Sequence, residues 1–423
     1  MRLDKIRVRP PEGWRREPTG RWFSQPYPWR EAVSWLAKNL CGPARDYGDL
    51  TTPIHPEVCG DVITPRLTVA FVGDILPFGG RQFSVGEDVK EFFAGTTLLV
   101  GNFEGTLIDG RRPRLFLGQA HTPATLDFLA DLFPPERTLL TCANNHAGEY
   151  GWARFTRSQE MLEDRGFRVI GRADEPAVLV NEQVLIAAGT VWLNRPCGYV
   201  SRLDTLAHCS GVDAAFRIVC PHWGYELEAY PRPAQIAEAR RLLGQWDAIV
   251  GHHSHWPQPV ALDDSTASRR LVAYSLGNFT FGLELAKHLQ GAMLRVELGP
   301  RPDGRWAVGR IHWRHTRIRL VGRCDAVVET ITDLVSSEQP DRAGNHGPFG
   351  VRKDPRNDLG GGLPVQTWRD GGMVNADCQQ SSERPEQPRG NGVLQRRCPP
   401  RNLVPRNVSR RLIEQSYLYR FSQ

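Results

Sequence analysis

The sequence predicts an α/β fold built on parallel strands, and two observations predict it. The apolar runs at residues 215–220 and 248–250 each stop at histidine, with Pro233 placed to open a helix between them and Gly244 to close it. Strand, histidine, helix, strand, histidines is a βαβ unit with imidazoles at the carboxyl ends of its strands, where open α/β sheets bind ligands. Second, six apolar runs end in side chains able to bind metal or phosphate: Asp74, Asn102 with Glu104, Asn144-Asn145-His146, His222, His252-His253-Ser254-His255, and Asn278.

Residues 1–64 are rich in Pro, Arg and Trp and read as an irregular extension that docks its tryptophans on the main domain. Residues 29–40 predict a short helix with Ala32, Val33, Trp35, Leu36 and Leu40 largely along one side. The main domain spans 65–330. Strands are expected at 67–72, 96–100, 138–141 and 167–170. A helix is expected over 122–132, capped by Thr122 with Pro123 in its first turn, and another over 150–165, closed by Gly166. Runs 177–180 and 184–188 flank Asn181-Glu182-Gln183 and predict a hairpin. After the central unit come strands at 271–276, 292–298 and 306–318, the last two joined by a turn at Pro302-Asp303-Gly304. From 331 to 423 the chain turns to Gly, Pro, Arg, Gln and Ser without apolar period. Such a tail buries too little to offset its ordering entropy and is expected to be disordered, apart from a terminal helix over 410–421.

With 40% hydrophobic residues, the 423-residue chain can fill a large core. The net charge of +6 rests on scattered arginine, without the basic stripe and interleaved aromatics of single-strand nucleic-acid binders, so no nucleic-acid partner is expected. Nine cysteines, an odd number with no C-x-x-C pair, predict free thiols and a reducing, cytoplasmic setting. No apolar run approaches 18 residues and the N-terminus lacks a hydrophobic leader, so neither a membrane span nor a signal peptide is expected.

The six strand ends carry imidazole, carboxylate and amide oxygen, a set that suits Mn, Fe or Zn and disfavours a thiolate structural site. They are too many for one tetrahedral ion. Two divalent ions bridged by a carboxylate account for them better, and such a pair polarises a phosphoryl oxygen and generates hydroxide at neutral pH. A histidine beside a metal-binding asparagine can protonate the leaving oxygen.

Gly73-Asp74, Asn102-Phe103-Glu104, Ala143-Asn144-Asn145-His146, His222-Trp223-Gly224 with Glu226, Gly251-His252-His253-Ser254-His255 with Gln258-Pro259, and Tyr274-Ser275-Leu276-Gly277-Asn278-Phe279 together resemble the CapA, or poly-γ-glutamate capsule synthesis, family, a branch of the calcineurin-like metallophosphoesterases. The resemblance covers residues 65–320 and implies a four-layer α/β/β/α sandwich. It implies that Asp74 and His255 hold one ion, that Glu104 bridges, and that Asn145, His222 and His253 hold the other. His146 matches the superfamily's general acid or transition-state stabiliser, with Asn144 beside it as a second catalytic candidate. His252, Asn102, Glu226 and Asn278 are outer or alternative ligands. Leu76 stands where most of the superfamily has a histidine, which takes a ligand from the first ion. The expected activity is phosphoester hydrolysis by metal-bound hydroxide on a small or polymeric anionic substrate. The alternatives are a capsule or polyglutamate component acting on an amide or acylphosphate, and a non-catalytic metal-binding scaffold.

Overall fold

The computed structural model describes residues 1–17, 26–41, 57–110, 118–209, 211–263, 268–331, 365–369 and 372–374. The expected helix at 410–421 lies outside them. Two sheets stack face to face. In the ten-stranded sheet, Leu67–Ile75, Leu98–Phe103, Thr138–Thr141 and Arg168–Ile170 run parallel side by side, and the long hairpin of Gln290–Pro300 and Trp306–Val321 continues the sheet antiparallel. In the nine-stranded sheet, Val184–Thr190, Phe216–His222, Ala248–Val250 and Arg270–Ala273 are parallel neighbours.

Strand period assigns the faces. Val184, Ile186 and Ala188 enter the large core shared with the other sheet, while Leu185 and Ala187 point outward to Ala239 and Leu242 of helix Pro233–Leu242. Helices Ala124–Leu132 and Trp152–Asp164 bury Leu126, Leu129, Phe155 and Leu162 in the main core beside the ten-stranded sheet. The result is the four-layer α/β/β/α sandwich. The predicted hairpin is present, turning through Asn181 and Glu182 at positive φ (48° and 59°).

Several local expectations are corrected. Thr122 does not cap its helix: Pro123 occupies the cap position and no side chain bonds the first turn. The helix at Trp29–Cys41 does not dock by its apolar side. Trp29, Val33 and Leu40 are 72%, 50% and 74% exposed, whereas Lys38 is buried. The surface it meets carries Glu226 and Glu228, so polar hydrogens find partners there and methyl groups do not. Elsewhere the extension does pack by aromatics, with Trp14 edge-on to Trp152 at 5.2 Å. Leu3–Ile6 adds an antiparallel edge strand to the nine-stranded sheet.

Cys59 is disulfide-bonded, against the expectation that every thiol is free. Sequence spacing is blind to pairs made by the fold, and the thiol argument for a reducing compartment goes with it. Strands Val365–Arg369 and Gly372–Val374 fall inside the stretch whose composition predicts disorder. Val365–Arg369 pairs with the edge strand Val260–Asp263, whose open backbone groups need no apolar partner. Among the described residues, no helix is long and apolar enough to cross a membrane.

Candidate metal centre

The two sheets bring the carboxyl ends of their parallel strands to one place. From the ten-stranded sheet come Asp74, Asn102 with Glu104, and Asn144 to His146; from the other come His222 and the loop His252–His255. Asn102 pairs with Asp74 across the parallel ladder and donates to its Oδ1 at 2.8 Å. Asn278 is also in register with Asp74, and its Oδ1 lies 2.9 Å from His255 Nδ1. Gly73 is required beside Asp74, because a Cβ there would stand 2.2 Å from the Gly277 carbonyl.

The histidine loop is bent to aim its rings. His253 and His255 hold φ of 95° and 52°, a conformation that costs a side-chain-bearing residue about 1–3 kcal/mol each. The bend places one ligand atom each of Glu104, His253 and His255 within 4.8 Å of one another; Asp74, Glu104 and His222 form a second such group, sharing Glu104. This groups the imidazoles differently from the division the resemblance implies, although His255 Nδ1 also lies 3.2 Å from Asp74 Oδ2.

A cation fits this arrangement. Glu104 is completely buried, and neither carboxylate oxygen has a hydrogen-bond partner. Around its Oε1 stand the Nε2 atoms of His255, His146 and His222 at 3.6, 3.8 and 3.9 Å, too far to bond it directly. Both ring nitrogens of His252 and Nδ1 of His253 are likewise buried without hydrogen bonds. Such orphans are rare unless an ion or water completes them. Hard and borderline donors together match Mn, Fe or Zn.

The protonation pattern follows from burial and neighbours. Burial pushes the Glu104 carboxyl up to about 8. Burial would also strip His255 of its proton, but Glu104 and Asp74 outweigh it and push His255 up to about 10. Asp74 is buried too, yet the imidazoles of His252 and His255 hold it well below the usual range. His222 and His253 are held well below theirs by burial and by neighbouring imidazoles, which leaves them neutral with lone pairs to give.

Every residue the sequence nominates reaches this neighbourhood, in differing roles. Asn145 Oδ1 lies 2.8 Å from His222 Nε2. Asn144 donates to the Phe103 carbonyl at 2.8 Å, while its Oδ1 is buried without a hydrogen bond. Glu226 sits at the rim, 3.4 Å from the Tyr27 hydroxyl. Leu76 is buried and offers no ligand.

Sequence reasoning missed three residues. Glu149 Oε1 lies 2.8 Å from His146 Nδ1, and although burial works against a charged imidazole, Glu149 raises the His146 pKa above its ordinary value. The three-residue spacing from His146 was the available signal. Asn194, from an irregular loop, reaches His146 Nδ1 at 3.1 Å and Glu149 at 3.1 Å. Tyr27, from the extension, lies 2.6 Å from His253 Nε2, and nothing local marks it.

The family described as "Bacterial capsule synthesis protein PGA_cap" matches residues 200–283, the stretch that carries His222 and the histidine loop. The chain is 24% identical over 275 residues to the PGA biosynthesis protein CapA of Bacillus subtilis (strain 168), covering 57% of this chain and 70% of that protein. It is 22% identical over 269 residues to the capsule biosynthesis protein CapA of Bacillus anthracis, covering 55% of this chain and 64% of the other. Among solved structures, a hypothetical protein from Thermus thermophilus aligns at 15% identity and a TM-score of 0.37, over 59% of this chain and 99% of its own. Over these stretches the chain is similar to the CapA family of bacterial capsule synthesis proteins.

Proposed function

We propose that this protein is a metal-dependent hydrolase of phosphoesters, working on an anionic substrate through two divalent ions. The observation that carries the reading is Glu104, a carboxylate sealed in the core without a hydrogen bond and ringed by imidazole nitrogens. Glu104, His253 and His255 would hold one ion and Asp74, Glu104 and His222 the other, with Asn145 beside His222. His252 and Asn102 shape the Asp74 side. Bound there, the ions supply Lewis acidity toward a phosphoryl oxygen and a strong nucleophile at neutral pH.

The chain's own residues then divide the work. Asn102 and Asn278 orient Asp74 and His255 through their amides, as outer partners of metal ligands do. His146, whose pKa Glu149 raises, carries the proton for the leaving oxygen at Nε2 in this reading. Asn194 donates its amide N–H to Glu149 at 3.1 Å and thereby fixes the carboxylate that holds the ring.

A second reading draws on the names of the relatives: the same site polarises the carbonyl of an amide or acylphosphate during polymer assembly. One experiment separates these. Metal content is measured after purification in Mn, and hydrolysis of generic phosphoesters, acylphosphates and γ-glutamyl amides is followed with and without Mn. Phosphoester turnover no faster than that of a His146→Ala, His222→Ala double mutant removes the first reading. Fewer than one metal per chain favours a scaffold.

A further inference from the structure

We infer that His121 is a positioning residue for the shared carboxylate: its ring fixes the turn that carries Glu104 and so sets where that carboxylate stands. The inference rests on the reading of Glu104 as a ligand of both ions and adds to it a residue that acts through the backbone.

Glu104 directly follows the strand Leu98–Phe103, and the chain turns at once. Gly105 holds φ of 120°, and a Cβ there would stand 2.6 Å from the Gln119 carbonyl oxygen. A short parallel pair closes the turn, Thr106–Leu107 against Ala120–His121. Thr106 N–H donates to the Gln119 carbonyl at 3.1 Å, and Ile108 N–H to the His121 carbonyl at 3.2 Å. The path of the chain beyond Glu104 is therefore set by residues 119–121.

The His121 side chain reaches Glu104 itself. Its buried ring stacks on Phe103 with centroids 4.0 Å apart, and its Nε2 lies 2.9 Å from the Glu104 carbonyl oxygen. A carbonyl only accepts, so the hydrogen of that bond sits on Nε2. Nδ1 lies 3.3 Å from Thr125 Oγ1, in the first turn of helix Ala124–Leu132. The stack sets the plane of the ring and the two polar contacts set its edges. Neither carboxylate oxygen of Glu104 has a hydrogen bond, so nothing of that kind steers the tip of the side chain. Its position is inherited from the main chain, and His121 is bonded to that main chain at Glu104.

The same segment steadies the proton donor by a separate route. Gln119 N–H donates to Glu149 Oε2 at 3.0 Å, and Glu149 Oε1 lies 2.8 Å from His146 Nδ1. That tie runs through a backbone N–H and not through the imidazole. A change at the His121 side chain thus acts on the metal carboxylate and is read in metal uptake.

The test titrates Mn alone into the full chain at fixed pH, with thermal melting in chelator measured on each variant. His121→Phe keeps a flat ring on Phe103 and removes the donor, while His121→Gln returns an amide N–H. The expected result is Mn binding about tenfold weaker in His121→Phe, as follows the loss of an outer partner, and largely recovered in His121→Gln. Unchanged Mn affinity in His121→Phe overturns the inference whatever its melting point does, because the ring then serves the fold alone. A loss that His121→Gln does not recover overturns it too, because ring packing and not the donor then carries the effect. If His121→Phe does not fold, His121→Met, which fills space without a donor, takes its place in the same comparison. Wild type that takes up no Mn sinks the metal site and this inference together, whereas Mn uptake that no variant alters sinks the inference and leaves the metal site standing.

Discussion

Glu149 and Glu104 stand on opposite sides of one imidazole: His146 Nδ1 lies 2.8 Å from Glu149 Oε1, within hydrogen-bond reach, while its Nε2 faces Glu104 Oε1 across 3.8 Å. The first carboxylate raises the proton affinity of the ring, and in the proposed function the proton is used on the side of the second. Because Glu149 raises the His146 pKa, the acid form survives to higher pH than an ordinary histidine allows. Glu149→Gln removes the charge, so the alkaline limb of the kcat profile moves to lower pH by about one unit. His146→Ala loses about 10²–10⁴ in kcat. Initial rates from pH 5 to 10 check both.

Metal uptake releases protons. Without a cation, Glu104 and His255 keep theirs up to about 8 and about 10, and a ligand must shed its proton to bind. Manganese affinity therefore climbs as pH rises through 8 and levels off only near 10. Calorimetry in buffers of different ionisation enthalpy gives the proton count directly. A pH-independent affinity contradicts the assignment of these two groups as ligands.

Glu104→Gln tests the shared carboxylate. The amide has nearly the same shape, so the fold is kept, and Mn affinity drops by more than the ~10–100-fold that follows loss of an outer partner. Plasma emission analysis of dialysed protein, read beside a thermal melt, separates lost metal from lost structure.

Leu76→His tests the resemblance at the point where the chain departs from it. The side chain is buried next to the site, and an imidazole there adds a ligand to the Asp74 side. Bound Mn per chain rises toward two. Without metal the buried ring costs about 1–3 kcal/mol of stability, read from denaturant midpoints in chelator. Unchanged stoichiometry means that the first ion does not depend on this position.

The strand ends were legible because each polar residue interrupts an apolar run: Asp74 after Val72-Gly73, His222 after Cys220-Pro221, His252 after Val250-Gly251. Period 2 and the punctuation of Pro233 and Gly304 carried most of the fold. What stayed hidden acts through space. An acidic residue like Glu149 reads as solvated surface until the chain folds it under His146. Asn194 lies in a loop without period. Tyr27 and His253 are 226 residues apart, and no local pattern reports such a meeting. The positive φ of His253 and His255 was also unreadable, because neither residue type announces it as glycine does. The helix at Trp29–Cys41 misled because amphipathicity names the side that is apolar, not the chemistry of the surface awaiting it.

Half of the centre belongs to one sheet and half to the other, so neither sheet can assemble it alone. A cation seated between them acts as a rivet: it adds to the cohesion of the pair by as much as it prefers the joined state to the separated one. Stripping the ions with a chelator should then lower the melting point of the entire sandwich in a single transition, and folding should complete this site last, when the two halves have already found each other.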